Sequence, residues 1–208
     1  MKRKIKVVDS TTEEKIKEAA RRLFTQKGFE AVKTRDIAAE AGINLALLNY
    51  YFRSKQKLFD VIMMENVRQF VQGVAVILSD VDVPLYAKME KLVGHYIDML
   101  CATPDLAFFI FNQMRIAGHN DGITIPPEIL AAREMMQKQI SAEMAAGRIA
   151  KVDPLHLMAN LLGLVVFPFI ASPLLKARRN ITDKKFMELM QERKKLIPIW
   201  ISAMLKPG

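Results

Sequence analysis

The chain is predicted to be all-α, with about nine helices, and three observations carry that prediction. Helix start and stop signals divide almost all of the 208 residues, apolar residues recur at three- and four-residue spacing, and no stretch sustains the period-two alternation of a half-buried strand. Hydrophobic residues make up 51% and charged residues 25%, a globular mix that excludes a disordered or collagen-like chain. At this length a core can form without a metal or a disulfide. The one cysteine, Cys101, excludes a disulfide framework, implies a reducing compartment, and reads as a small core residue.

The elements follow in order. Ser10-Thr-Thr-Glu13 and the overlapping Thr11–Glu14 offer two capping boxes, after which Ile16, Ala20, Leu23 and Phe24 share a face until Gly28. That predicts a helix of about 11–27. Thr34 opens a short helix ending near Gly42, Asn44 caps another to about Phe52, and Ser54 begins a long one reaching about Leu78. Proline is tolerated in a first helical turn, and Pro84, Pro126 or Pro127, and Pro154 stand at such starts. The later helices are therefore placed at about 84–102, 105–117, 127–146, 154–175 and 183–205, with Thr182 as the last cap. The polar GHNDGIT at 118–124 reads as a mobile loop.

Charge divides the chain. The net charge is +9, and residues 1–55 carry 13 basic against 7 acidic side chains while 56–208 carry 18 against 15. Concentrated positive charge points to a polyanionic partner. We read residues 1–55 as a small basic head and 56–208 as a larger apolar body. The opening MKRKIKVVDS has no apolar core or cleavage site and does not read as a secretory signal, so a cytoplasmic protein is expected. Leu161 to Leu175 carries no charge but is shorter than the about twenty residues a membrane span needs and contains Pro168 and Pro173. It reads as a core or subunit-interface helix, with no membrane partner.

Thr34 to Lys55, TRDIAAEAGINLALLNYYFRSK, is two short helices joined at Gly42. Neither is long enough to persist alone in water. Ile37, Ala38 and Ala41, with Ile43, Leu48 and Phe52, supply a shared core against Leu23, Phe24 and Phe29. This is helix-turn-helix spacing, in which the second helix lies in the DNA major groove. With Leu48 and Phe52 inward, positions 45, 46, 49 and 50 face out.

The run KIKEAARRLFTQKGFEAVKTRDIAAEAGINLALLNYYFRSKQKLF, with its LF…KGF, RDIA..AG and YYF.SK elements, resembles the tetracycline-repressor-like (TetR) family of bacterial transcription regulators over about residues 11–60. The resemblance implies a two-domain α-helical homodimer whose first three helices bind double-stranded operator DNA and whose body takes up an effector and dimerises. Carried over by position, Thr34 and Arg35 lie beside the operator, as do Leu45, Ala46, Leu47, Asn49, Tyr50 and Tyr51 of the recognition helix and Lys55 just beyond. Thr34 and Lys55 sit at helix starts that favour phosphate, and Arg35 suits phosphate or a guanine edge. The sequence departs from the common pattern at Asn49, where many members have tyrosine, and at Leu45 and Leu47, where a polar or basic residue is frequent. Asn49 can bond adenine bidentately, and Leu45, Ala46 and Leu47 can touch thymine methyls, so an A·T-leaning half-site is expected.

The body shows no phosphate loop, nucleophile elbow or paired carboxylates, so no catalytic residue and no enzyme activity is expected. His95, His119 and His156 are isolated, so neither a metal site nor a cofactor is expected. Met-rich and Phe-rich stretches pack as core or adapt around a ligand, and spacing leaves both open. The resemblance favours a cavity, for which the candidates are His95, Tyr96, Met99, Phe108, Phe111, Asn112, Arg115 and Met136, with an apolar or amphipathic small molecule as the effector. For a homodimer seam the last two helices offer Leu162, Val165, Val166 and Phe169 with Ile197, Trp200, Ile201 and Met204. The expected function is a dimeric repressor released from a palindromic operator by its effector. The alternative is a constitutive architectural or recruiting DNA binder with a sealed body.

Overall fold

The computed structural model describes residues 10–117 and 126–207, with the backbone alone at residues 10 and 113–117. Among the described residues there are ten helices and no strand. They are α1 (Ser10–Ala31), α2 (Thr34–Glu40), α3 (Leu45–Phe52), α4 (Lys55–Ser79), α5 (Leu85–Ala102), α6 (Asp105–Ala117), α7 (Pro127–Ala145), α8 (Pro154–Ile170), α9 (Ser172–Arg179) and α10 (Asp183–Met204). The 118–124 loop with His119 lies outside the described residues.

Two compact units, Met1–Asn66 and Val67–Gly208, divide the chain. In the first, Ile16, Ala20, Leu23 and Phe24 of α1 are buried together with Ile37, Leu48 and Phe52. Leu58, Phe59 and Ile62 from the opening turns of α4 join them. Their burial carries this unit further along α4 than the composition shift near residue 55. Gly28, at φ 75° and ψ 160°, does not end α1 but breaks it, and the chain makes further helical turn up to Ala31. The break lets Phe29 turn back to meet Phe24 and Phe59, with ring centroids 5.7 and 4.6 Å away. Lys17 donates to Glu65 at 2.7 Å, and Arg21 pairs with Glu65 and donates to Asn66 at 2.7 Å, tying α1 to α4.

In the second unit α5 packs along α10 and against α8. Lys194 of α10 donates to both Asp98 carboxylate oxygens of α5, at 2.6 and 2.7 Å. Caps form where local chemistry demands them: Asp153 accepts the Leu155 N–H at 2.8 Å, and Thr182 accepts that of Lys185 at 3.2 Å. One predicted helix, 154–175, is in fact two, which makes ten rather than about nine. The break falls at Ala171, where Pro173 in the first turn of α9 has no N–H to continue the ladder, and the axes bend by 64°. Pro168, by contrast, stays inside α8. Helix α4 has the length and apolarity of a membrane span (25 residues, hydropathy 1.3), although Glu65 and Arg68 interrupt its apolar part.

Candidate nucleic-acid interface and body cavity

The turn between α2 and α3 is built by backbone geometry. Gly42 sits at φ 66°, its N–H donates to Ala39 O at 3.1 Å, and the Ile43 N–H donates to Ala38 O at 3.0 Å. This paired closure satisfies the last carbonyls of α2 and needs a left-handed residue at position 42. Asn44 then accepts the Leu47 N–H at 2.8 Å and starts α3. Asp36 of α2 reaches back to the Lys33 N–H at 3.0 Å.

With Leu48 fully buried and Phe52 nearly so, α3 turns its remaining faces outward. Ala46 and Asn49 are exposed, Tyr50 is 63% exposed, and Leu45, Leu47 and Tyr51 are half-buried. Tyr50 and Tyr51 meet edge to face, with centroids 5.6 Å apart. Thr34 is half-buried at the start of α2, and Arg35 beside it is exposed. Eight of the nine sequence-predicted DNA residues thus lie on α2 or α3 around one turn, with side chains at least partly open to solvent.

Lys55 is placed otherwise. Its ammonium donates to Phe29 O at 2.9 Å and Val32 O at 3.0 Å and lies 4.2 Å from the Phe29 ring centroid. It holds the end of α1, and the group expected to reach phosphate is engaged within the head. Among the exposed cations that sequence reasoning did not select, Lys33, Arg53 and Lys57 stand beside the ends of α2 and α3. Arg53 follows α3 at φ 57°, a left-handed conformation uncommon outside glycine, which ends that helix abruptly. Alternating charge in RSKQK was the available signal.

In the body, a cavity of about 320 Å³ lies among α4, α5, α7 and α8. Val74 and Leu78, Met89, Leu92 and Tyr96, Arg133, Met136, Gln137 and Ile140, and Leu157, Met158 and Leu161 form much of its wall. Of the sequence-predicted ligand residues the structure brings Tyr96 and Met136 into it. His95 instead stacks on Phe70 at 5.0 Å, with Nε2 3.1 Å from Phe70 O. Met99 is half-buried away from the cavity wall, and Asn112 is exposed. Phe108 and Phe111 are 63% and 47% exposed because α6 turns Leu106, Ala107 and Phe109 inward. The Arg115 side chain lies outside the described residues. Arg133 and Gln137, one turn apart on α7, were missed because nothing in sequence sets them apart from solvated surface.

Below the cavity, Lys88 is 1% exposed and donates to Leu78 O at 3.0 Å and Gln139 Oε1 at 2.6 Å, while Gln139 donates to Val83 O at 2.9 Å. Burial holds its ammonium below the ordinary lysine range. The predicted dimer residues also separate. Val165, Phe169, Ile197 and Ile201 are buried in the chain's own core, Leu162 lines the cavity and Val166 is half-buried. Trp200 and Met204 face out, as do Leu196 and Ile199 on the same helix and Phe167 on α8. An apolar run on a 3.6-residue helix points both ways, and the inward half belongs to the fold.

Among the described residues no group of three or more His, Cys, Asp or Glu side chains could hold a metal ion. The model for bacterial regulatory proteins of the tetR family matches residues 16–62. The chain is 25% identical to the protein described as "Probable HTH-type transcriptional regulator YttP" of Bacillus subtilis, over 95% of this chain and 96% of that one. Its fold is similar to that of a transcriptional regulator of the TetR/AcrR family from Thermobifida fusca, with a TM-score of 0.62 at 19% identity over 91% of this chain and 97% of that one. A TetR transcription regulator from Haloarcula marismortui matches at a TM-score of 0.61 and 19% identity over 95% of this chain and 100% of that one.

Proposed function

We propose, for a chain that belongs to the TetR family of bacterial regulatory proteins and is a DNA-binding transcriptional regulator rather than an enzyme, that it is a cytoplasmic, homodimeric repressor. It leaves a palindromic operator when a small apolar or amphipathic effector enters the body. The observation that carries this reading is α4. One continuous helix places Leu58, Phe59 and Ile62 in the core of the head and Val74 and Leu78 in the wall of the cavity. A ligand that fits one position of that helix better than another shifts the balance between DNA-competent and incompetent forms, by about 1–3 kcal/mol in typical cases. A body with open volume supports this reading over a constitutive binder.

The dimer seam we assign to the outward faces of α8 and α10. Phe167, Leu196, Ile199, Trp200 and Met204 are each between 38% and 62% exposed. Asn160 of α8 meets Met204 Sδ of α10 at 3.7 Å, so the two helices are adjacent there. Large apolar side chains left open on neighbouring helices mark an interface.

Sedimentation of the free protein and of its complex with a selected palindromic duplex tests the reading. Dimers in both, two protomers per duplex, and monomers from the Ile199→Asp/Trp200→Asp double variant are the expected results. A monomer that binds one asymmetric site would overturn it.

A further inference from the structure

The outward face of α10 carries a half-buried cation without a counter-ion among the described residues. Arg193 stands in a stripe with Leu189, Leu196, Trp200 and Met204, whose three- and four-residue spacing keeps them on one face of the helix. Its place is fixed from within the chain. Nη2 donates to Leu164 O of α8 at 2.7 Å, and that carbonyl is open to it because Pro168, one turn on, has no N–H to close the helical bond. The guanidinium carbon lies 5.1 Å from the centroid of the Trp200 ring. Among the described residues, Nε is the one buried side-chain nitrogen or oxygen without a hydrogen-bond partner. Burial lowers the pKa of the group, yet an arginine stays charged at neutral pH.

Covering this face removes water from a charge that has no carboxylate of its own, and a buried cation left unpaired is costly. A partner that covers the stripe therefore has to bring an acceptor, and a second copy of this chain has one to bring. Helix α8 contains no Asp or Glu, and α10 contains Asp183, Glu188 and Glu192. Asp183 pairs with Lys176 at 2.5 Å and Glu188 with Lys185 at 3.3 Å. Glu192 is exposed and makes no ion pair among the described residues. Neighbours in a helix diverge by about 100°, so Glu192 does not face the Arg193 of its own chain. It stands instead on the flank of the stripe, one turn before the exposed Leu196.

We propose that Arg193 of each protomer pairs with Glu192 of the partner subunit, and that this reciprocal pair selects a second copy of this chain as the partner. The inference rests on α8 and α10 forming the homodimer seam. A two-fold axis makes each contact between different residues twice, so adjacent charges of opposite sign on one helix face are complementary to themselves across it. The pair acts on choice of partner more than on tightness, since a partner without the carboxylate leaves Arg193 buried and unpaired.

Charge reversal tests this, read by sedimentation equilibrium of the full chain without DNA. Glu192→Arg, at an exposed position, and Arg193→Glu should each weaken self-association about ten- to hundredfold. An equimolar mixture of the two variants should associate at least about tenfold more tightly than either alone, because both cross-seam pairs are again opposite in sign in the mixed dimer. Self-association of Glu192→Arg equal to that of the parent would overturn the pair while leaving the dimer standing. So would a mixture no tighter than its components when both variants are helical by circular dichroism. A parent that stays monomeric under the same conditions would overturn the dimer and this inference with it.

Discussion

Lys55→Ala separates two roles for one residue. If its ammonium holds the end of α1, as the bonds to Phe29 O and Val32 O and the contact with the Phe29 ring show, its removal acts on the folded head before any DNA is present. Hydrogen bonds from charged groups contribute about 1.5–3 kcal/mol each when shielded, but this site is half-buried and water can replace part of that. About 1 kcal/mol for each bond and about 0.5 kcal/mol for the ring contact are reasonable here. The loss should therefore be about 2–3 kcal/mol. For a unit the size of Met1–Asn66, each kcal/mol shifts the melting temperature by about 4–8 °C, so a fall of roughly 10–20 °C is expected. Calorimetry of DNA-free protein reads the shift, and amide exchange at residues 29–32 localises it. Arg35→Ala, on an exposed side chain, should change stability by less than about 0.5 kcal/mol yet weaken binding to duplex DNA. The reasoning fails if Lys55→Ala melts as the parent does and loses affinity equally on all duplexes, because Lys55 would then be a phosphate contact.

Three further substitutions probe other parts of the molecule. Lys88→Met leaves Leu78 O and Gln139 Oε1 without their donor in a closed site and should cost about 2–4 kcal/mol by urea denaturation, with Gln139→Leu adding less in that background than alone. Burial lowers the Lys88 pKa in the fold, so between that depressed value and about 10.4 the unfolded chain binds more protons; stability should rise with pH across that window in the parent and lack this contribution in Lys88→Met. Gly73→Ala puts a Cβ into the His95 ring, at Cε1 and Nε2, so the ring must leave its stack on Phe70, at a cost of about 1–3 kcal/mol read by thermal unfolding. Asn49→Ala should cost roughly 1–3 kcal/mol chiefly at one A·T pair, and equal losses on cognate and scrambled duplexes would remove Asn49 from the specificity set.

Local chemistry was the legible part of the sequence. Asn44, Ser54, Asp153 and Thr182 each announce a cap by residue type, and each accepts a backbone N–H two or three residues on. Gly42 likewise marks the turn of the head because only local sterics decide it. Direction around a helix was less legible. Leu162 to Phe169 is apolar on every side, and only packing against α5, α6 and α10 chose Val165 and Phe169 for the core. In α6 the pattern LAFFIF could turn either Phe108 or Phe109 inward, and the fold took Phe109. The cavity was least legible, since its wall is assembled from α4, α5, α7 and α8, far apart in the chain. Nor does anything near Lys88 in sequence mark it for burial, because the oxygens that accept from it lie on α4 and α7.

Selection of bound sequences from random duplex DNA, performed with the full chain at two salt concentrations, tests the central claim most directly. The account predicts an inverted repeat whose half-sites lie one or more helical turns of about 34–36 Å apart, with affinity falling by about 0.9 log unit per phosphate contact for each tenfold rise in salt. Enrichment of no sequence at either salt, or of a single asymmetric site bound by one protomer, would contradict it.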